Sequence, residues 1–132
     1  MKILGVDVGK KRTGLAISDE KGKFAFPLEV IEEESEEKLV KRIIEISRRE
    51  EVKTIVVGIP YSLRGKITPS TELALRVADK LREAGFRVEE IDERLTTREA
   101  GKIIKSKKKR GKIDKISASL LLQTWLERQI RI

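Results

Sequence analysis

The chain begins with a run that is apolar almost throughout, Ile3-Leu4-Gly5-Val6-Asp7-Val8-Gly9, and rich in β-branched residues, which reads as a buried strand. The short basic turn at Lys10 to Thr13 leads to a second strand, Gly14 to Asp19. The turn Glu20-Lys21-Gly22-Lys23 leads to a third, from about Phe24 to Ile31. Connections this short make antiparallel neighbours. Pro27 suits an edge position, because it cannot donate to a sheet ladder.

The period then changes. Ser35 precedes a helix running to about Glu50, with Leu39, Val40, Ile43, Ile44 and Ile46 as its apolar stripe. Thr54 to Pro60 is a fourth strand, apolar on both faces as a covered strand should be. After the loop Tyr61 to Thr68, Pro69-Ser70-Thr71 opens a second helix. It turns Leu73, Ala74, Val77, Ala78 and Leu81 inward and stops at Gly85. Phe86 to Ile91 is a fifth strand. Thr96-Thr97-Arg98-Glu99 fits a capping box for a third helix, with Ala100, Ile103 and Ile104 on one side. Asp114 opens a last helix carrying Ala118, Leu121, Leu122 and Trp125 at i, i+3, i+4 and i+7.

The order is β-β-β-α-β-α-β-α-α. Helical crossovers imply right-handed parallel pairing for the last two strands. The expected α/β architecture is one mixed five-stranded sheet, three strands antiparallel and two parallel, with helices on both faces. No linker or repeat divides it, so residues 1–132 are expected to form one domain.

Composition narrows the chemistry. The sequence has no histidine and no cysteine, which removes Ser-His-Asp triads, thiol nucleophiles and ordinary zinc sites. Net charge is +8, so a polyanionic partner, most often nucleic acid, is expected. Charged residues are 39%, Asn is absent, and Gln123 and Gln129 are the only side-chain amides, as in thermophilic proteins. That habit explains the number of charges but not their positive excess. No signal-peptide layout or membrane-length apolar run is visible, and a cytoplasmic location is expected.

Asp7 is the anomaly in this pattern. An ionised carboxylate in an apolar strand costs several kcal/mol unless a cation or a catalytic task compensates it. Sites in open α/β sheets gather beyond the carboxyl ends of parallel strands. Glu93 follows the fifth strand and should emerge on the same edge, with Asp92 a rival for its role. Asp114 is free to return there, although an Asp at a helix start also serves as a cap. Three acids without histidine describe an oxygen-ligand site for Mg²⁺ or Mn²⁺, a pair of which can clamp a phosphodiester. Lys10, Lys11 and Arg12 sit just beyond Asp7, and Arg64 lies in the loop after the fourth strand. Lys105 to Lys112 packs six cations into eight positions, among them Lys107, Lys108, Lys109 and Arg110. These cations are candidates for phosphate contacts. Aromatics are only 4%, so base stacking is not expected to dominate binding.

These residues resemble the YqgF/RuvX family of RNase H-like nucleases over nearly the whole chain. The likeness rests on Gly5-Val6-Asp7-Val8-Gly9 with Lys11 to Ala16, on Val57-Gly58-Ile59-Pro60, on Asp92 to Thr97, and on Asp114 with the helix from Ser117 to Gln123. The resemblance implies an RNase H-like fold and a cytoplasmic, divalent-metal-dependent nuclease. It further implies a link to maturation of the precursor of 16S ribosomal RNA. The family's older label is Holliday junction resolvase. Its catalytic positions fall on Asp7, Glu93 and Asp114. RuvC-like enzymes commonly carry an acid at the fourth strand, where this chain has Gly58-Ile59-Pro60, so the second carboxylate must come from Glu93.

The expected function is hydrolysis of phosphodiester bonds in structured RNA, 5′-end processing of pre-16S rRNA, by a monomer or weak homodimer. Precursor ribosomal particles are its expected surroundings. The rival readings are a resolvase acting on four-way DNA and a binding or assembly factor without turnover.

Overall fold

The computed structural model describes residues 1–95 and 110–130. Its strands are β1 (Ile3–Asp7), β2 (Arg12–Ser18), β3 (Ala25–Glu32), β4 (Thr54–Ile59) and β5 (Arg87–Asp92). Its helices are α1 (Glu36–Arg49), α2 (Pro69–Glu83) and α3 (Arg110–Ile130), and a 3-10 turn at Glu93–Leu95 closes β5. The strands form one sheet in the order β3-β2-β1-β4-β5. β1–β2 and β2–β3 pair antiparallel, whereas β1–β4 and β4–β5 pair parallel. The mixed sheet expected from the pattern is therefore present, and Pro27 lies on the edge strand β3, where it pairs with Ala16 and borders a register irregularity opposite Leu15 and Ala16.

Alternation along the strands divides the core in two. Leu4 and Val6 of β1 and Ile55, Val57 and Ile59 of β4 pack with Leu39, Ile43 and Ile46 of α1 and Val77 and Leu81 of α2. On the other face Val56 and Ile91 pack with Ala118, Leu121, Leu122 and Leu126 of α3. The two clusters give the sheet a helical cover on each side. Capping sets the helix starts: the Ser35 side chain accepts from the Lys38 backbone N–H, and Thr68 and Thr71 bond reciprocally at the start of α2.

One expected boundary moves. α3 starts at Arg110, so Asp114 lies about one turn inside the helix and does not open it. Arg and Lys are good helix formers, and a capping preference of about 1 kcal/mol does not stop them extending the helix backward. The helix predicted from Thr96 and the cations Lys107, Lys108 and Lys109 lie outside the described residues. Among the described residues no helix is long and apolar enough to cross a membrane.

Candidate active site

Asp7 is the last residue of β1 and keeps part of its surface open. The turn that follows is tight: a Cβ on Gly9 would lie 2.2 Å from the Arg12 carbonyl oxygen. The Gly9 N–H donates to the Thr13 hydroxyl across the same turn, at 3.3 Å. This turn leaves the end of β1 no room to extend and brings Lys10 and Lys11 to the surface beside it.

Glu93 reaches Asp7 from two strands away. The parallel registers pair Val6 with Val57 and Gly58 with Ile91, which sets Asp7, Gly58 and Ile91 level across three strands. Side chains two residues apart share a face. Glu93 therefore follows Ile91 onto the α3 side, where Asp7 also points. Two strand spacings, about 9.5 Å, separate β1 from β5, with β4 between them. Gly58 makes the crossing possible. A Cβ there would lie 2.6 Å from Oε1 and 2.9 Å from Cγ of Glu93, and 2.1 Å from Cδ1 of Leu121. The absent side chain is the space through which Glu93 passes under α3. Gly5 does the corresponding service on β1, where a Cβ would approach that of Leu122 to 2.8 Å.

The two carboxyl groups share a hydrogen bond. Burial pushes the Asp7 carboxyl above its ordinary range, against the lowering effect of that bond. Burial pushes Glu93 further, to about 10, assisted by the bond to Asp7 and by the charges of Asp7 and Asp92. Two desolvated carboxylates in contact cannot both ionise readily, so the pair holds a proton in the absence of a cation. A hard divalent cation would replace that proton and relieve both the repulsion and the desolvation, so this donor set fits Mg²⁺ or Mn²⁺. Among the described residues no third acid joins the pair.

Asp92 is excluded from the pair by Arg94. It accepts from the Arg94 side chain at 2.6–3.1 Å and from the Arg94 backbone N–H at 2.9 Å. The guanidinium holds the Asp92 carboxyl below the usual range. Arg94 also lies over the Tyr61 ring, 5.6 Å from its centroid. Of the two adjacent acids, Asp92 is thus committed to an ion pair and Glu93 faces Asp7.

The helical register sets the place of Asp114. The Ala118 carbonyl lies over Gly5, and Gln123 and Leu126 reach the β2–β3 turn beside the start of β1. α3 therefore runs antiparallel to β1. Four residues back from Ala118 is about 6 Å of helix, and Gly5 to Asp7 is about 6.6 Å of strand. Position 114 of the backbone comes level with Asp7 by this count.

The cations are more dispersed than the sequence suggested. Lys10 and Lys11 are exposed, and no ion pair among the described residues engages them. Arg12 instead pairs with Glu32 at 3.4 Å, and with Lys11 lines a cleft of about 380 Å³ that also holds Glu32, Glu33 and Glu34. Gly58 was the residue hardest to foresee. In the sequence it is the place where an acid is missing, and its spatial role follows only from the strand order.

A five-stranded mixed sheet of this order, with two acids meeting at the carboxyl ends of β1 and β5, defines an RNase H-like hydrolase of phosphodiester bonds. A family model described as "RuvX: Holliday junction resolvase" matches residues 1–128, and the chain belongs to that family. A protein of Desulforudis audaxviator named "Putative pre-16S rRNA nuclease" is 40% identical over 132 residues, covering 96% of this chain and 94% of that protein. A protein of Thermoanaerobacter pseudethanolicus with the same name is 39% identical, covering 98% of each. Among solved structures, RuvC of T. thermophilus bound to a Holliday junction superposes with a TM-score of 0.69 at 17% identity, covering 98% of this chain and 96% of RuvC. The fowlpox virus resolvase bound to junction DNA gives a TM-score of 0.64 at 12% identity, covering 99% and 100%. At those identities the two structures establish the fold.

Proposed function

We propose that this chain is a divalent-metal-dependent endonuclease that cuts structured RNA and matures the 5′ end of pre-16S rRNA in the cytoplasm. The observation that carries the reading is the meeting of Asp7 and Glu93 across Gly58. Asp7, Glu93 and Asp114 are the proposed ligands, and the level of position 114 beside Asp7 supports the third. Mg²⁺ or Mn²⁺ held by these oxygens supplies Lewis-acid stabilisation of charge on the scissile phosphate. Lys10, Lys11, Arg12 and Arg64, with Lys107, Lys108, Lys109 and Arg110, hold the flanking phosphates and exchange bound counterions for the nucleic-acid backbone. Water attacks phosphorus in line and the 3′ oxygen leaves, giving a 5′-phosphate and a 3′-hydroxyl. The names of the curated relatives favour an RNA precursor as substrate.

The family description and the junction-bound neighbours favour a second reading, a resolvase of four-way DNA acting through the same acids. The test offers labelled pre-16S rRNA and a four-way DNA junction side by side, with and without Mn²⁺, under single turnover. Mn²⁺-dependent cleavage of the RNA with a 5′-phosphate product is expected. Preferential, paired incision of the junction would replace this reading with the second. Tight binding of the precursor without any cleavage would leave an assembly factor.

A further inference from the structure

Leu63 is the most exposed large apolar side chain among the described residues, with 91% of its surface in water. Its backbone is nevertheless well held. The Gly65 N–H donates to the Ser62 carbonyl at 2.8 Å, the Ser62 N–H to the Lys66 carbonyl at 3.0 Å, and the Lys66 N–H to the Ser62 hydroxyl at 2.9 Å. Gly65 supplies the positive φ of 78° that closes the turn. Leu63 and Arg64 are therefore the two central residues of a locked β-turn, a place where Asn, Asp, Gly or Ser is usual. Folding gains nothing from a leucine there.

The turn is tied to the proposed catalytic edge. Gly65 lies so close to Arg94 that a Cβ would sit 3.2 Å from its Nη1, and Arg94 covers Tyr61 at the base of the loop. Arg94 is the immediate neighbour of Glu93. Arg64 and Lys66 follow the leucine in the same loop, both exposed, and no ion pair among the described residues engages either. Ile67, 60% exposed, extends the apolar surface. An apolar tip with two open cations in the same loop is complementary to an unstacked base and its neighbouring phosphates.

Resting on the nuclease reading above, we infer that Leu63 is a wedge that packs against an unstacked nucleobase at a break in a helix, while Arg64 and Lys66 hold the adjoining phosphates. The substrate is then distinguished by its discontinuity, a bulge or a helix end, ahead of its base sequence. The fixed turn presents the wedge without an ordering cost on binding.

The test uses the full chain carrying Asp7→Asn, so that binding is read without cleavage. The probes are two RNA duplexes of one sequence, one continuous and one with a two-nucleotide bulge beside a 2-aminopurine. The parent should bind the bulged duplex about tenfold more tightly, one base contact's worth, and brighten the 2-aminopurine. Leu63→Ser should erase both the preference and the brightening while leaving continuous-duplex affinity within about twofold, and Leu63→Phe should retain them. Leu63→Ser should not move the melting temperature, since the side chain is in water. Equal loss on both duplexes, or no loss on either, overturns the wedge. So does a shift from dimer to monomer in Leu63→Ser as its only effect, which would make the tip a self-association contact. Mn²⁺-dependent cleavage by the unaltered chain tests the nuclease reading separately. A chain that cleaves without a Leu63-dependent preference refutes the wedge alone.

Discussion

Glu36 and Glu93 are the same side chain in opposite circumstances. Glu36 starts α1 and is met by two cations of α2, Lys80 at 2.6 Å and Arg76 at 3.0 Å. The bond with Lys80 holds its carboxyl below the usual range against the opposing desolvation, and Arg76 adds to the lowering. Glu93 meets another carboxyl in a less solvated place, and burial lifts it to about 10. The α1–α2 seam uses charge to hold elements together. The end of the sheet buries two carboxyl groups against each other, a cost that folding alone would remove. In a chain so densely charged the informative acid is the one that burial and a neighbouring carboxyl lift above its ordinary range, because perturbation of that kind gathers at functional sites.

The sharpest break in the comparison removes the charge at the sheet edge. Asp7→Asn should lower single-turnover cleavage by roughly a thousandfold, measured at saturating Mn²⁺, with nucleic-acid affinity nearly unchanged. Undiminished cutting by protein purified free of host nuclease would end the assignment. Glu36→Gln should leave the rate as it was.

Gly58→Ala should separate access from charge. The new methyl group collides with Glu93 and Leu121, so stability should fall by about 1–3 kcal/mol. Cleavage, read well below the melting temperature, should fall by roughly a hundredfold as Glu93 is displaced. A variant that melts early but cuts at the parental rate would show that Glu93 reaches the site by another path.

The two glutamates should also give pH dependences of opposite sign. A carboxyl raised on folding binds more protons in the native state, so metal-free stability falls as pH rises from the unfolded value near 4.5 towards 10. Glu93→Gln should therefore raise the neutral-pH stability of the metal-free protein, by roughly 1–3 kcal/mol, and flatten that slope. Mn²⁺ should stabilise the parent and have much less effect on the variant. Calorimetry between pH 5 and 9, with a chelator and with Mn²⁺, checks both. A variant no more stable than the parent in chelator would mean that the pair carries no strain.

The smallest effect belongs to the seam. Glu36 is lowered on folding, so its contribution is present above the unfolded pKa and is lost as pH falls through its native value. Glu36→Gln should cost about 0.5–1 kcal/mol at neutral pH, less in high salt, because the partners are partly exposed. A larger, salt-independent loss would mean that the seam is a buried network.

Much of this was legible in the sequence. Strand alternation and helical stripes depend on local spacing, and they yielded the sheet, its edge strand with Pro27 and the two helical faces. Asp7 stood out because a charge in an apolar strand conflicts with its local setting. The choice between Asp92 and Glu93 was not legible. Adjacent strand residues face opposite ways, and which one faces Asp7 depends on register. The start of α3 was misplaced because a good cap and a good helix former compete within about 1 kcal/mol.

The sequence by itself determined the elements, the anomalous acid and the basic character, since each follows from residue type and short-range period. Only the tertiary structure decided that β4 lies between β1 and β5, that Glu93 crosses it, and that Gly58 leaves the space. That decision is a matter of volume: one missing methyl group, at a position set by the pairing of three strands, lets two distant carboxyls touch.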